Sequence, residues 1–79
     1  MDYLKIDGEF IRNLDTSEID QRMVSAMVEI ARALGLRTIA EFVENAAILE
    51  RLREFGVDFA QGYHVGKPAP IETLAPVVL

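Results

Sequence analysis

The sequence contains no cysteine, one histidine and three prolines. Without cysteine, disulfides and thiolate metal sites are excluded, and the composition fits a reducing compartment, so a cytoplasmic location is expected. No stretch approaches the roughly 20 consecutive apolar residues of a membrane span. The start, Met1-Asp2-Tyr3-Leu4-Lys5-Ile6, lacks the basic region and long apolar run of a secretory signal. Low-complexity segments and internal sequence repeats are also missing. Eight basic residues face thirteen acidic ones, for a net charge of -5. The basic residues are scattered and form no patch, so a DNA or RNA polymer is not an expected partner.

What the chain does have is apolar surface: 51% of its 79 residues are hydrophobic. That share argues against disorder. A chain this short buries a small fraction of its surface and is marginal alone, and small folds of this kind often rely on a staple or a partner. The segment therefore expects to be covered by something. A strand-like stretch follows Met1 directly, so the start reads as a cut inside a fold.

Local patterns predict strands over about 3–6, 36–41 and 57–60, and helices over about 18–34, 46–55 and 71–76. Leu4 and Ile6 share one strand face, and Tyr3, Lys5 and Asp7 share the other. Residues 9–14 mix apolar and polar side chains, with room for one helical turn. Ser17, with Asp20 three positions on, resembles a capping box. From Ile19, apolar residues at Met23, Ala26, Met27, Ile30, Ala31 and Leu34 follow helical spacing, with Met23 and Met27 read as core filler. Gly35 stands where a left-handed terminator belongs. Asn45 is a plausible cap for the second helix, whose stripe is Ile48, Leu49, Leu52 and Phe55, and Gly56 ends it. Pro68 and Pro70 mark a loop.

Alternating strands and helices imply an α/β fold with a parallel sheet. Lys5, Asp7, Glu41 and Gln61 then fall at or just beyond the carboxyl ends of the strands. Ligands bind at that edge both in open α/β sheets and in closed barrels. Pattern alone leaves the two architectures open.

Three ordered motifs decide more. Tyr3-Leu4-Lys5-Ile6-Asp7-Gly8, Ala40-Glu41-Phe42-Val43-Glu44, and Gln61-Gly62-Tyr63 followed by Gly66-Lys67-Pro68 resemble motifs of EAL-type cyclic di-GMP phosphodiesterases, in the same order and at similar spacing. Ala31-Arg32-Ala33-Leu34-Gly35-Leu36 resembles that family as well. The resemblance covers nearly the whole chain. It implies the last three strand–helix units of a TIM-like (β/α)8 barrel, with helices outside. It also implies hydrolysis of cyclic di-GMP to linear pGpG, with magnesium or manganese at the barrel's carboxyl end.

Carried over residue by residue, the resemblance makes Lys5, Glu41 and Gln61 the catalytic candidates. Lys5 would offset charge on the phosphoryl oxygens. Glu41 would contact a metal or the attacking water, and Gln61 would hydrogen-bond near that water. Asp7 and Glu44 match motif positions and are candidates for substrate binding. Phe42 replaces the more usual glycine and would reshape the rim. Each residue also has a plainer reading. Lys5 could snorkel from an edge, Glu41 and Glu44 could favour a helix start, and Gln61 could serve a turn. His64 matches no family ligand and reads as an incidental loop residue.

The glutamate-alanine-leucine motif, the mid-domain asparagine and glutamate ligands and the aspartate-aspartate-phenylalanine-glycine loop are absent from these 79 residues. A (β/α)8 barrel takes roughly 250 residues, with ~200 as a lower bound. The expectation is therefore a segment that binds no metal and turns over no substrate alone. Open strand edges would lead it to pair with the rest of a barrel or with itself. The competing expectation is a degenerate EAL segment that binds nucleotide or protein without hydrolysis.

Overall fold

The computed structural model describes residues 2–62 and 68–73. β1 (Tyr3–Ile6) leads through Asp7 into a single helical turn, α1 (Gly8–Ile11), followed by the long helix α2 (Glu18–Ala33). β2 (Arg37–Ala40), α3 (Ala46–Phe55) and the short β3 (Phe59–Ala60) complete two βαβ units. β4 (Ala69–Pro70) and a 3-10 turn, Ile71–Thr73, follow.

Local chemistry sets the helix ends. The Asp7 carboxylate caps α1 by accepting from the Glu9 amide at 3.2 Å. The Ser17 hydroxyl oxygen accepts from the Asp20 amide at 3.2 Å, and Asn45 Oδ1 accepts from the Ile48 amide at 2.8 Å. Each cap satisfies a donor that the first helical turn leaves free. Gly56 closes α3 at φ 86°, a left-handed conformation that disfavours side chains with a Cβ.

The sheet order is β1-β2-β3-β4. β1 and β2 pair in parallel from Tyr3↔Arg37 to Ile6↔Ala40, and β2 and β3 pair at Ile39↔Phe59 and Ala40↔Ala60. β4 runs antiparallel to β3. The sequence reading made Pro68 to Pro70 a loop; instead, Ala69 and Pro70 add an outer strand, where proline's missing N–H does no harm. The predicted strands over 36–41 and 57–60 are shorter, ending up as Arg37–Ala40 and Phe59–Ala60. Of the predicted last helix, only Ile71–Thr73 is described, as a 3-10 turn.

One sheet face carries both helices. Ile6, Ala40 and Ala60 from the strands join Val24 and Val28 of α2 and Leu49 and Leu52 of α3 in a single core. On the other face, the Tyr3 ring meets the Phe59 ring edge-on at 5.7 Å. Ile39, on the strand between them, is only 6% exposed.

The buried face of α2 needs correction. Val24, Val28 and Ala31 face the core, whereas Ile19, Met23, Ile30 and Leu34 are exposed. The spacing was helical, but α2 carries two apolar stripes, and the smaller side chains take the inside. Met27 packs against the core as expected, whereas Met23 is 40% exposed and is not core filler.

Candidate functional site

Three strand ends build one rim. The backbone ladder continues a step past β2, where the Glu41 amide donates to the Ile6 carbonyl at 3.2 Å. The Gln61 amide donates to the Ala40 carbonyl at 2.9 Å, and the Gln61 carbonyl accepts from the Val43 amide at 3.0 Å. Gln61 thus brackets Glu41 and Phe42 from the neighbouring strand. These bonds hold Lys5, Glu41 and Gln61 on three adjacent parallel strands at their carboxyl ends.

Lys5 Nζ lies 4.0 Å from Glu41 Oε2, at the outer limit of an ion pair. The Lys5 side chain is 65% exposed and that of Glu41 29%. An ammonium and a carboxylate side by side can present a positive charge to an anionic oxygen and an acceptor to water. Gln61 is half-buried.

Asp7 and Glu44 are less engaged with the rim. Asp7 is exposed and uses its carboxylate as the α1 cap. Glu44 is exposed just ahead of the Asn45 cap. Tyr63, Gly66 and Lys67, on which the closing motif partly rests, lie outside the described residues, as does His64.

Phe42 matters more than its sequence suggests. It adopts φ 59°, the left-handed region, and is 59% exposed. Its ring lies over Gly8, where an added methyl group would collide with it. A methyl group on Gly62 would come 3.2 Å from the Phe42 Cα and the Val43 amide nitrogen. Phe42 therefore wedges the turn after β1 against the exit of β2, and Gly8 and Gly62 make room for it. The sequence signal was a glycine directly after Asp7 and another directly after Gln61, at two rim turns.

The EAL domain model matches residues 1–68 of the chain. The chain belongs to the EAL domain family. It is 44% identical over 71 residues to the cyclic di-GMP phosphodiesterase PdeB of Shewanella oneidensis, covering 90% of this chain and 8% of that protein. It is 45% identical over 74 residues to the cyclic di-GMP phosphodiesterase PdeF of Escherichia coli, covering 92% of this chain and 10% of that protein. Among solved structures, the PaMucR phosphodiesterase in complex with c-di-GMP superposes with a TM-score of 0.76 at 40% identity, over 94% of this chain and 30% of that one. The chain thus spans about a tenth of these curated relatives. Its βα units match part of the TIM-like barrel of EAL domains, with the rim just described at the carboxyl ends of the strands.

The family resemblance raises the question of magnesium or manganese. Such hard cations take about six oxygen ligands. Among the described residues no three of histidine, aspartate and glutamate lie close enough to hold a cation. Glu41 offers one carboxylate, with the Lys5 ammonium beside it. The described residues do not make a metal site by themselves; further oxygen ligands would have to come from outside them.

Proposed function

We propose that this chain is the carboxyl-terminal part of a cyclic di-GMP-specific phosphodiesterase domain. The intact domain hydrolyses one phosphodiester bond of cyclic di-GMP, yielding linear pGpG. The observation that supports this most is the convergence of Lys5, Glu41 and Gln61 on adjacent strand ends, in an EAL chain whose curated relatives include cyclic di-GMP phosphodiesterases.

In this reading, Lys5 faces the scissile phosphate and stabilises the charge that grows on its oxygens. Glu41 accepts a proton from the attacking water or orients it. The Gln61 amide hydrogen-bonds beside that water. Asp7 and Glu44 border the substrate. Phe42 holds the Lys5 and Glu41 strand exits in one arrangement. Most metal ligands of the intact domain lie outside this segment, with Glu41 the candidate within it; the segment works in the cytoplasm, binds no cation alone and associates with the rest of a barrel or with itself.

The test is incubation with cyclic di-GMP and magnesium or manganese, following pGpG by chromatography. The intact domain that carries this sequence is expected to give product, and the 79-residue chain none. An intact domain that binds cyclic di-GMP without cleaving it would overturn the hydrolytic reading and favour a degenerate binding module.

A further inference from the structure

Phe42 is held in a state that neither folding nor water favours. Its backbone sits at φ 59°, a region that is costly for a residue carrying a Cβ, and its side chain is 59% exposed. Packing against Gly8 does not require this arrangement. A side chain on residue 8, with glycine at 42, would fill the same gap without the left-handed cost. Strained backbone of this kind persists where the surroundings over-determine it, and it gathers at ligand contacts.

The surroundings of Phe42 do over-determine it. The Glu41 amide donates to the Ile6 carbonyl at 3.2 Å and the Val43 amide to the Gln61 carbonyl at 3.0 Å, so the residues on both sides of Phe42 are tied to neighbouring strands. Gly8 supports the ring on one side, and the exposure leaves much of the rest open. The other exposed large apolar side chains lie elsewhere: Ile19, Met23, Ile30 and Leu34 on α2 or its cap, and Tyr3 at the opposite end of the strands. Among the described residues, Phe42 is therefore the one exposed aromatic ring at the carboxyl rim. It directly follows Glu41, whose carboxylate lies 4.0 Å from Lys5 Nζ. A phosphate bound beside that pair carries its base one sugar away.

We propose that the Phe42 ring is a stacking platform for one guanine of cyclic di-GMP. The inference rests on the phosphodiesterase reading above, and adds a residue for the base to those that face the phosphate. Stacking on an aromatic side chain is a general way to hold an unpaired base, and it tolerates any base because each has a π-face. Phe42 thus contributes affinity for the dinucleotide, and the choice of guanine falls to hydrogen-bonding groups. The ring is fixed before the ligand arrives, so little side-chain freedom is lost on binding. The base is remote from the reacting phosphorus, so the contact is the same before and during bond cleavage. Its loss therefore falls on KM and not on kcat.

The test uses the intact domain that carries this sequence, with circular dichroism as the control on folding. Turnover of cyclic di-GMP is measured in magnesium or manganese, and equilibrium binding separately in EDTA by calorimetry. Phe42→Leu keeps apolar bulk against Gly8 and loses the ring; Phe42→Tyr keeps the ring. Phe42→Leu is expected to raise KM and Kd about 5- to 150-fold, the range for loss of one base stack, while kcat falls less than about threefold. Phe42→Tyr is expected to stay near wild type in all three. A loss confined to kcat, equal losses in the two variants, or an unchanged KM and Kd in Phe42→Leu overturns the stacking role. A wild-type domain that binds cyclic di-GMP without cleaving it overturns the hydrolytic reading alone, and the Kd ratio then decides the role of Phe42. A folded wild-type domain that does not bind it overturns both.

Discussion

Thr38 and Asp58 join the starts of β2 and β3 through three hydrogen bonds. The Thr38 amide donates to Asp58 Oδ2 at 2.9 Å, and its hydroxyl donates to the same oxygen at 3.3 Å. In return, the Asp58 amide donates to Thr38 Oγ1 at 3.1 Å. The two strands share only two paired positions, Ile39↔Phe59 and Ala40↔Ala60. The Asp58 side chain thus takes the place of the next ladder bond, and it satisfies a threonine that is only 1% exposed.

Asp58→Ala leaves the Thr38 amide and hydroxyl without this acceptor. It is expected to cost about 1–3 kcal/mol of stability, read as a lower urea midpoint. Asp58→Asn keeps an acceptor and should cost less. Equal losses in the two variants would show that the acceptor is not what matters.

The wedge between Phe42 and Gly8 predicts a change of sign. Gly8 begins a helical turn, where alanine is favoured over glycine by about 1 kcal/mol. In the native chain, however, its methyl group would strike the Phe42 ring. Gly8→Ala is therefore expected to destabilise by about 1–3 kcal/mol. In a Phe42→Ala background the same change should be neutral or mildly stabilising. A double-mutant cycle measures the coupling, and a value near zero would mean that the wedge is unimportant.

Asn45 carries the start of α3. Its side chain is the acceptor for the Ile48 amide, and α3 supplies Ile48, Leu49 and Leu52 to the core. Asn45→Ala is expected to cost about 1 kcal/mol, whereas Asn45→Ser or Asn45→Asp should keep most of the stability, as good caps do. Thermal melts of the three variants check the order.

Lys5 and Glu41 separate function from stability. Their ion pair is long and the lysine is mostly exposed, so Lys5→Ala is expected to shift stability by no more than about 1 kcal/mol. In the intact domain, Lys5→Ala and Glu41→Ala should each lower turnover of cyclic di-GMP more than tenfold, as removal of an electrostatic stabiliser does. Full turnover in either variant would remove that residue from the site.

Much of the fold was legible because its signals are local. A cap and its helix lie within three residues, so Ser17, Asn45 and Gly56 mark their ends in the sequence itself. Strand alternation placed Leu4 and Ile6 opposite Lys5. The order of strands then places Lys5, Glu41 and Gln61 on one rim. Other features depend on residues far apart in the chain. Asp58 reaches Thr38 across 20 positions, and β4 pairs with β3 at Phe59↔Pro70 and Ala60↔Ala69, which periodicity does not describe. The choice of the inner stripe of α2 is of this kind too. Spacing shows that a helix has an apolar face, but with two such stripes it cannot rank them. Packing against β1, β2 and α3 selected Val24, Val28 and Ala31, whose compact side chains let the helix approach the sheet, and left Ile19, Met23 and Ile30 outside. Local chemistry thus determined the elements and the rim, and tertiary contact decided which surfaces are buried and which remain open.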